Sequence, residues 1–162
     1  MIKKLNKTSA ILDRYCRLAA SGFFTAMLVV VLFQVVARYI FQSVPVWTEE
    51  LARYCMVWGG FLGATAAFRA DVDPRLIQPP RNGPRLWVIS AFWLRAAGAV
   101  VFLGPVLYYS DKFLARTWVR TTEAMGIPSA IVTCAVPLTV IIIFFHLLVR
   151  MLNVKQETSS TA

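Results

Sequence analysis

Few side chains in this sequence are able to do covalent or metal chemistry. The chain has one histidine, His146, and three cysteines, Cys16, Cys55 and Cys134. The cysteines are isolated, with no Cys-x-x-Cys pair, and no Gly-rich phosphate loop or nucleophile motif occurs. A His-ligated haem or a two-metal centre needs more than one His. Cys55 and Cys134 fall at similar depths in their apolar runs, but no disulfide is expected. A lone His with no carboxylate at helical spacing reads as a packed residue. The expectation is therefore no enzyme, no bound metal and no cofactor.

The charges are more informative. Arg38 closes one apolar run. After a turn containing Pro45 come Trp47, Thr48, Glu49, Glu50 and Arg53. Thr48 reads as a helix N-cap, with both acids in the first turn, where they complement the helix dipole. Arg53 follows Glu49 by four residues and Glu50 by three, so it shares a face with either. Together with Arg38 these residues suggest an ionic clasp joining the first two helices; ordinary helix-end chemistry is the competing account. Gly59, Gly63 and Ala67, each four apart, form a small-residue row of the kind that lets helix backbones approach closely. Arg95 sits roughly 13 Å into a later apolar run at ~1.5 Å per residue. A central Arg costs at least ~2.5 kcal/mol on insertion scales. It therefore snorkels, binds a lipid phosphate, or meets a group on another subunit.

These residues need elements to hold them, and composition says which kind. Hydrophobic residues make up 58% of the 162 and charged residues 15%, with a mean hydropathy of +0.62. Four apolar runs, 18–37, 51–68, 86–109 and 127–149, each approach the ~20 residues that cross a bilayer core as a helix. The reading is an all-α integral membrane protein, a single membrane domain over 1–162, with four transmembrane helices at about 18–40, 49–69, 86–110 and 127–150. Lys3, Lys4, Lys7, Arg14 and Arg17 flank the first run, and Arg69, Arg75, Arg81 and Arg85 follow the second. This excess places both termini in the cytoplasm. The net charge of +9 is distributed around the spans, which favours phospholipid headgroups over nucleic acid as the partner.

Two amphipathic segments complete the reading. Residues 8–17 are taken as an N-terminal interfacial helix leading into the first span. Between spans three and four, Lys112, Arg116 and Arg120 repeat every four residues, with Phe113, Leu114, Trp118 and Val119 on another face. This segment either lies on the outer surface or extends span three outward. Its basic stripe suits an acidic soluble partner or lipid headgroups. Tyr39, Trp47 and Trp118 suit the interfacial belt.

The stretch Gln34-Val35-Val36-Ala37-Arg38-Tyr39, then Pro45-x-Trp47-Thr48-Glu49-Glu50-Leu51-Ala52-Arg53-Tyr54, Trp58 and Phe61-Leu62-Gly63-Ala64, resembles the small membrane subunit of tripartite ATP-independent periplasmic (TRAP) transporters, the DctQ-like family. Gly126-Ile127-Pro128-Ser129 and Pro137 add a second, weaker match. One departure is plain: the family often has a basic-x-x-His-Ile segment after span two, whereas residues 69–74 here contain no His. The resemblance implies a bacterial inner-membrane protein that scaffolds a large membrane subunit and helps dock a periplasmic solute-binding protein. Uptake of an organic acid would be driven by an ion gradient, usually sodium, acting through the large subunit. On that view Trp47, Lys112, Arg116 and Arg120 face the docking protein, and Arg95 with the Gly59 row faces the large subunit or a lipid. The alternatives are a membrane assembly or adaptor protein without a transport role, and an autonomous four-helix exporter. The exporter wants an acid at mid-membrane, and none of the eight acids falls there.

Overall fold

Residues 2–40 contain one Gly and no Pro, so nothing in the sequence interrupts a helix there. In the computed structural model, which describes residues 2–70 and 85–159 and the side chains of 3–70 and 90–153, they form a single helix α1, Ile2–Ile40, of 39 residues. At ~1.5 Å per residue it is about 58 Å long, well beyond a bilayer core. The separate interfacial helix expected over 8–17 is therefore corrected to the first turns of α1. The physical reason is that its polar face is occupied inside the bundle. Ser9, Asp13, Cys16 and Ala20 are buried, while Ile11, Tyr15 and Leu18 point outward.

The chain reverses at 41–45. Phe41 N–H donates to the Ala37 carbonyl at 3.0 Å, and Gln42 takes a φ of 50°, the left-handed position that commonly ends a helix. Pro45 then precedes α2, Val46–Ala70. Helix α3 runs Arg85–Trp118 without a break at Pro105, so the segment carrying Lys112 and Arg116 extends the third apolar run, as in the second of the two expected arrangements. A one-turn helix α4, Ala130–Thr133, leads into α5, Ala135–Ser159. The break between them follows from Pro137, which has no N–H to offer the Thr133 carbonyl. Leu138 N–H resumes the ladder on Cys134 at 3.2 Å. Every described element is helical except an isolated antiparallel bridge between Thr121 and Pro128.

Three stretches among the described residues, Lys3–Ile40, Ser90–Trp118 and Ala130–Asn153, are long and apolar enough to cross a membrane. Helix α2 has the length, at 25 residues, but it carries Glu49, Glu50, Arg53 and Arg69 and is rich in Gly, Ala and Thr. The stretch with Arg75 and Arg81, and the His-lacking segment from Asp71 onward, lie outside the described residues.

Helices α1 and α2 form an antiparallel hairpin with the most extensive interface in the bundle, and α5 packs against α1, α2 and α3. The centre is Cys16, Ala20, Leu62 and Ile142, flanked by Leu12, Ala19, Phe23 and Trp58. Phe23 and Trp58 stack with ring centres 5.9 Å apart. Large apolar side chains lie mostly outside: Leu28, Leu32 and Phe33 on α1, and Leu94, Val101 and Phe102 on α3, are exposed. In the most apolar window of α5 44% of residues are buried, against 6% in α1 and in α3, so α5 is the central helix. Small and polar residues inside with large apolar ones outside is the arrangement a helix bundle adopts when lipid surrounds it.

Candidate functional site

At the turn end of the bundle, the first tie between helices is neutral. Thr48 is fully buried in the first turn of α2. Its hydroxyl donates to the Pro45 carbonyl at 2.7 Å and accepts from the Gln34 side-chain amide of α1 at 3.0 Å. Thr48 is thus not the N-cap expected from the sequence. Pro45 halts the preceding chain, the helix starts at Val46, and the hydroxyl turns back on the last carbonyl before it.

The four-residue ionic clasp is corrected by the geometry. Arg53 pairs with Glu49 at 3.0 Å, but both belong to α2 and both side chains are exposed. Among the described residues Arg38 forms no ion pair; it lines a cleft of about 480 Å³ whose wall also includes Glu49. Glu50 pairs with neither Arg. Its Oε1 accepts from the Tyr54 hydroxyl, and its Oε2 accepts the backbone N–H groups of Ala124, at 3.1 Å, and Met125, at 2.9 Å. Glu50 is drawn away from the arginines because two backbone donors in the loop after α3 give it a better-directed pair of bonds.

That loop is built to present those donors. Thr122 N–H bonds Ile127 at 2.9 Å, Gly126 N–H bonds Thr122 at 3.1 Å, and Ser129 N–H bonds Arg120 at 2.8 Å. Gly126 has a φ of 67°, which a residue with a Cβ adopts only under strain. Behind the loop the Thr117 hydroxyl of α3 meets the Thr133 hydroxyl of α4 at 3.0 Å. Lys112, Arg116 and Arg120 are all exposed, as are Tyr39 and Trp118. Trp47 stacks on Phe33 with ring centres 6.4 Å apart.

The opposite end holds a cluster that the sequence did not single out. Asp13, only 1% exposed, accepts from Arg69 Nη1 of α2 at 2.7 Å and from Arg17 one turn on. Ser9 lies 2.8 Å from His146 Nδ1 of α5, and Arg69 Nε donates to the Ser9 hydroxyl at 3.3 Å. Asn6 and Asn153 exchange two side-chain amide bonds at 3.0 and 2.9 Å. One polar assembly thus joins α1, α2 and α5. His146 is packed as expected, but Asp13 and Arg69, remote in sequence, surround it. The periodicity was present in Asn6, Ser9, Asp13, Cys16 and Ala20, a helical stripe whose members are all polar or small.

The remaining expected residues separate. The Gly59 row is not uniform. A Cβ on Gly59 would lie 3.2 Å from the Phe24 ring of α1, whereas a Cβ on Gly63 would meet nothing within 4 Å. Ala67 is half-buried. Arg95 lies over the Phe68 ring of α2, 5.0 Å from its centre, so part of its environment comes from this chain. Arg150 of α5 sits in the same way over Phe92 of α3, at 5.7 Å. The three cysteines are free thiols. Among the described residues no group of three His, Cys, Asp or Glu side chains is placed to hold a metal. What the polar residues do is tie helices together.

Both matched segments of the sequence therefore meet at one place: Glu50 of the first bonds the loop that contains Gly126 of the second. No curated protein matches the chain. The family model for the DctQ component of tripartite ATP-independent periplasmic transporters matches residues 27–156. With most of its length in that match, including every tie at the turn end described above, the chain belongs to the DctQ family, the small membrane component of TRAP transporters.

Proposed function

We propose that the chain is a rigid scaffold for the large membrane subunit of its transporter and carries no solute itself. The observation that carries this reading is how its polar groups are used. At one end Gln34–Thr48 and Glu50 with the Ala124 and Met125 amides, and at the other Asp13–Arg69 and Ser9–His146, join helices of this chain. The long flanks of α1 and α3 stay apolar and uncovered, available to lipid and to a larger subunit.

On this reading the protein lies in the bacterial inner membrane with both termini in the cytoplasm. The large subunit carries the transport path and moves an organic acid, coupled to a sodium gradient, while packed against the apolar flanks of this chain. The outer end, with Trp47 and the exposed Lys112, Arg116 and Arg120, receives the periplasmic solute-binding protein. An exporter acting alone would want a free acid in the bundle. The buried acid here, Asp13, is held by two arginines and serves as a tie.

Reconstitution tests the proposal. The chain alone in vesicles should move no solute under a sodium gradient. The large subunit with its binding protein should transport only when this chain is present. Transport by the chain alone, or full transport without it, would overturn the scaffold role. Reversing charge at Lys112 and Arg116 should weaken capture of the binding protein; unchanged capture would remove the basic stripe from the docking surface.

A further inference from the structure

We infer that the cleft between the last turns of α1 and the α1–α2 turn is a binding site for a phospholipid headgroup that combines a phosphate with a primary ammonium, as phosphatidylethanolamine does. The inference rests on the membrane reading of the chain and not on its role in transport.

The cleft, of about 480 Å³, falls in the size range of small-ligand sites. Its lining is ordered along the helix. Val31 and Val35, one turn apart on α1, give an apolar wall, and Arg38 lies one turn beyond Val35 toward the end of α1. That is the order of a lipid, with chains toward the membrane and the charged group toward its surface. The exposed rings of Tyr39 and Trp47 mark the same level as interfacial.

Two charges of opposite sign share the cleft. Arg38 is exposed and forms no ion pair among the described residues, so its guanidinium is available to a phosphate in two-pronged geometry. Glu49 gives Oε1 to Arg53, leaving Oε2 without a hydrogen bond among the described residues. A primary ammonium donates to that oxygen. A choline headgroup, with its nitrogen fully methylated, has no proton to donate. A glycerol headgroup has no cation to offer Glu49. A free anion would use Arg38 alone and leave the valine wall without a role.

The test is native mass spectrometry of the full-length chain in detergent with phosphatidylethanolamine, phosphatidylcholine or phosphatidylglycerol of identical acyl chains. What is read is the change in retention on substitution, since a basic protein also gathers anionic lipid unspecifically. Arg38→Gln should reduce retention of the ethanolamine lipid about tenfold, the effect of losing a charge-assisted bond. Glu49→Gln should cost the ethanolamine lipid its advantage over the choline lipid and leave the other two unchanged. Circular dichroism checks that helix content is preserved. If Arg38→Gln loses helix, Arg38→Lys, which keeps the charge and loses the two-pronged geometry, together with Glu49→Gln decides the matter. Unchanged retention in either well-folded variant overturns the site. So does displacement of the bound lipid by inorganic phosphate, which would leave a simple anion site.

Discussion

Replacing Asp13 by Asn keeps the shape of the side chain and deletes the charge that joins α1 to α2. Asp13 is 1% exposed, and its Oδ2 faces Arg69 Nη1 at 2.7 Å as well as Arg17. Removing one partner of a fully buried ion pair costs about 3–5 kcal/mol, and removing one from an exposed pair about 0–1. The Arg69 side chain is 31% exposed and that of Arg17 60%, so both can reach solvent once released. The expected cost of Asp13→Asn is therefore about 2–3 kcal/mol, nearer the buried limit because the carboxylate has no access to water. The neutral Ser9–His146 bond, 2.8 Å long, provides the comparison. Bonds between membrane helices average about 0.6 kcal/mol in double-mutant cycles, and Ser9→Ala, which also gives up the 3.3 Å bond from Arg69 Nε, should cost about 1 kcal/mol. Reversible unfolding in mixed micelles, followed by circular dichroism, measures both. A further variant, Asp13→Leu with Arg69→Met, replaces the pair by apolar side chains of similar volume and should recover stability to within about 1 kcal/mol of the parent. If Asp13→Asn lies within about 0.5 kcal/mol of the parent, the ion pair is not what fixes the hairpin, and the argument from burial fails.

Glu50→Ala should accelerate amide hydrogen exchange at Ala124 and Met125 by roughly tenfold or more, since each N–H loses a charged acceptor, whereas Glu49→Ala should leave those amides unchanged. Two left-handed positions predict opposite signs. Gln42→Gly should raise unfolding stability by about 1 kcal/mol, and Gly126→Ala should lower it by about the same, because space around Gly126 is open and only backbone strain is added. Gly63→Ala, with open space at its Cβ, should raise stability by up to about 1 kcal/mol through helix propensity, while Gly59→Ala should lose most of that gain by crowding Phe24. Thermal or denaturant unfolding of the four variants checks both pairs.

The sequence made some features legible and hid others for identifiable reasons. Apolar runs of bilayer length point to helices, but they do not give the limits: α3 runs on to Trp118, and the fourth run is divided between α4 and α5 because Pro137 interrupts the ladder. The full length of α1 was hidden because amphipathicity was judged as for a helix lying on a surface. With Ile11, Tyr15 and Leu18 outside and Asp13 inside, the pattern is reversed. The ionic cluster at the α1–α2 turn is suggested by charge and depth alone. The partner Glu50 takes is a pair of backbone N–H groups in a loop 74 and 75 residues away, and no side-chain pattern announces a backbone donor. The Asp13–Arg69–Ser9–His146 assembly was hidden for the same kind of reason. Its members lie on three helices, and their meeting depends on packing that a single helix does not specify.

In lipid, apolar contact alone does not tell a neighbouring helix from an acyl chain, so the selective contacts are polar ties and close small-residue packing. Measured that way, the bundle is not uniform. Helices α1, α2 and α5 share the buried ion pair, the Ser9–His146 and Asn6–Asn153 bonds and the Gly59–Phe24 approach. Helix α3 packs on α5 and α4. Its described polar ties to other helices include the Thr117–Thr133 bond and the Arg95–Phe68 and Arg150–Phe92 stacks. Neutral hydroxyl bonds and cation–π stacks are individually worth about 0.5–2 kcal/mol, less than a broken buried ion pair. The buried ion pair between α1 and α2, which α5 joins through Ser9, is thus the strongest of the described ties. Helix α3, with Leu94, Val101 and Phe102 turned outward, offers an apolar flank that lipid or a larger partner can cover.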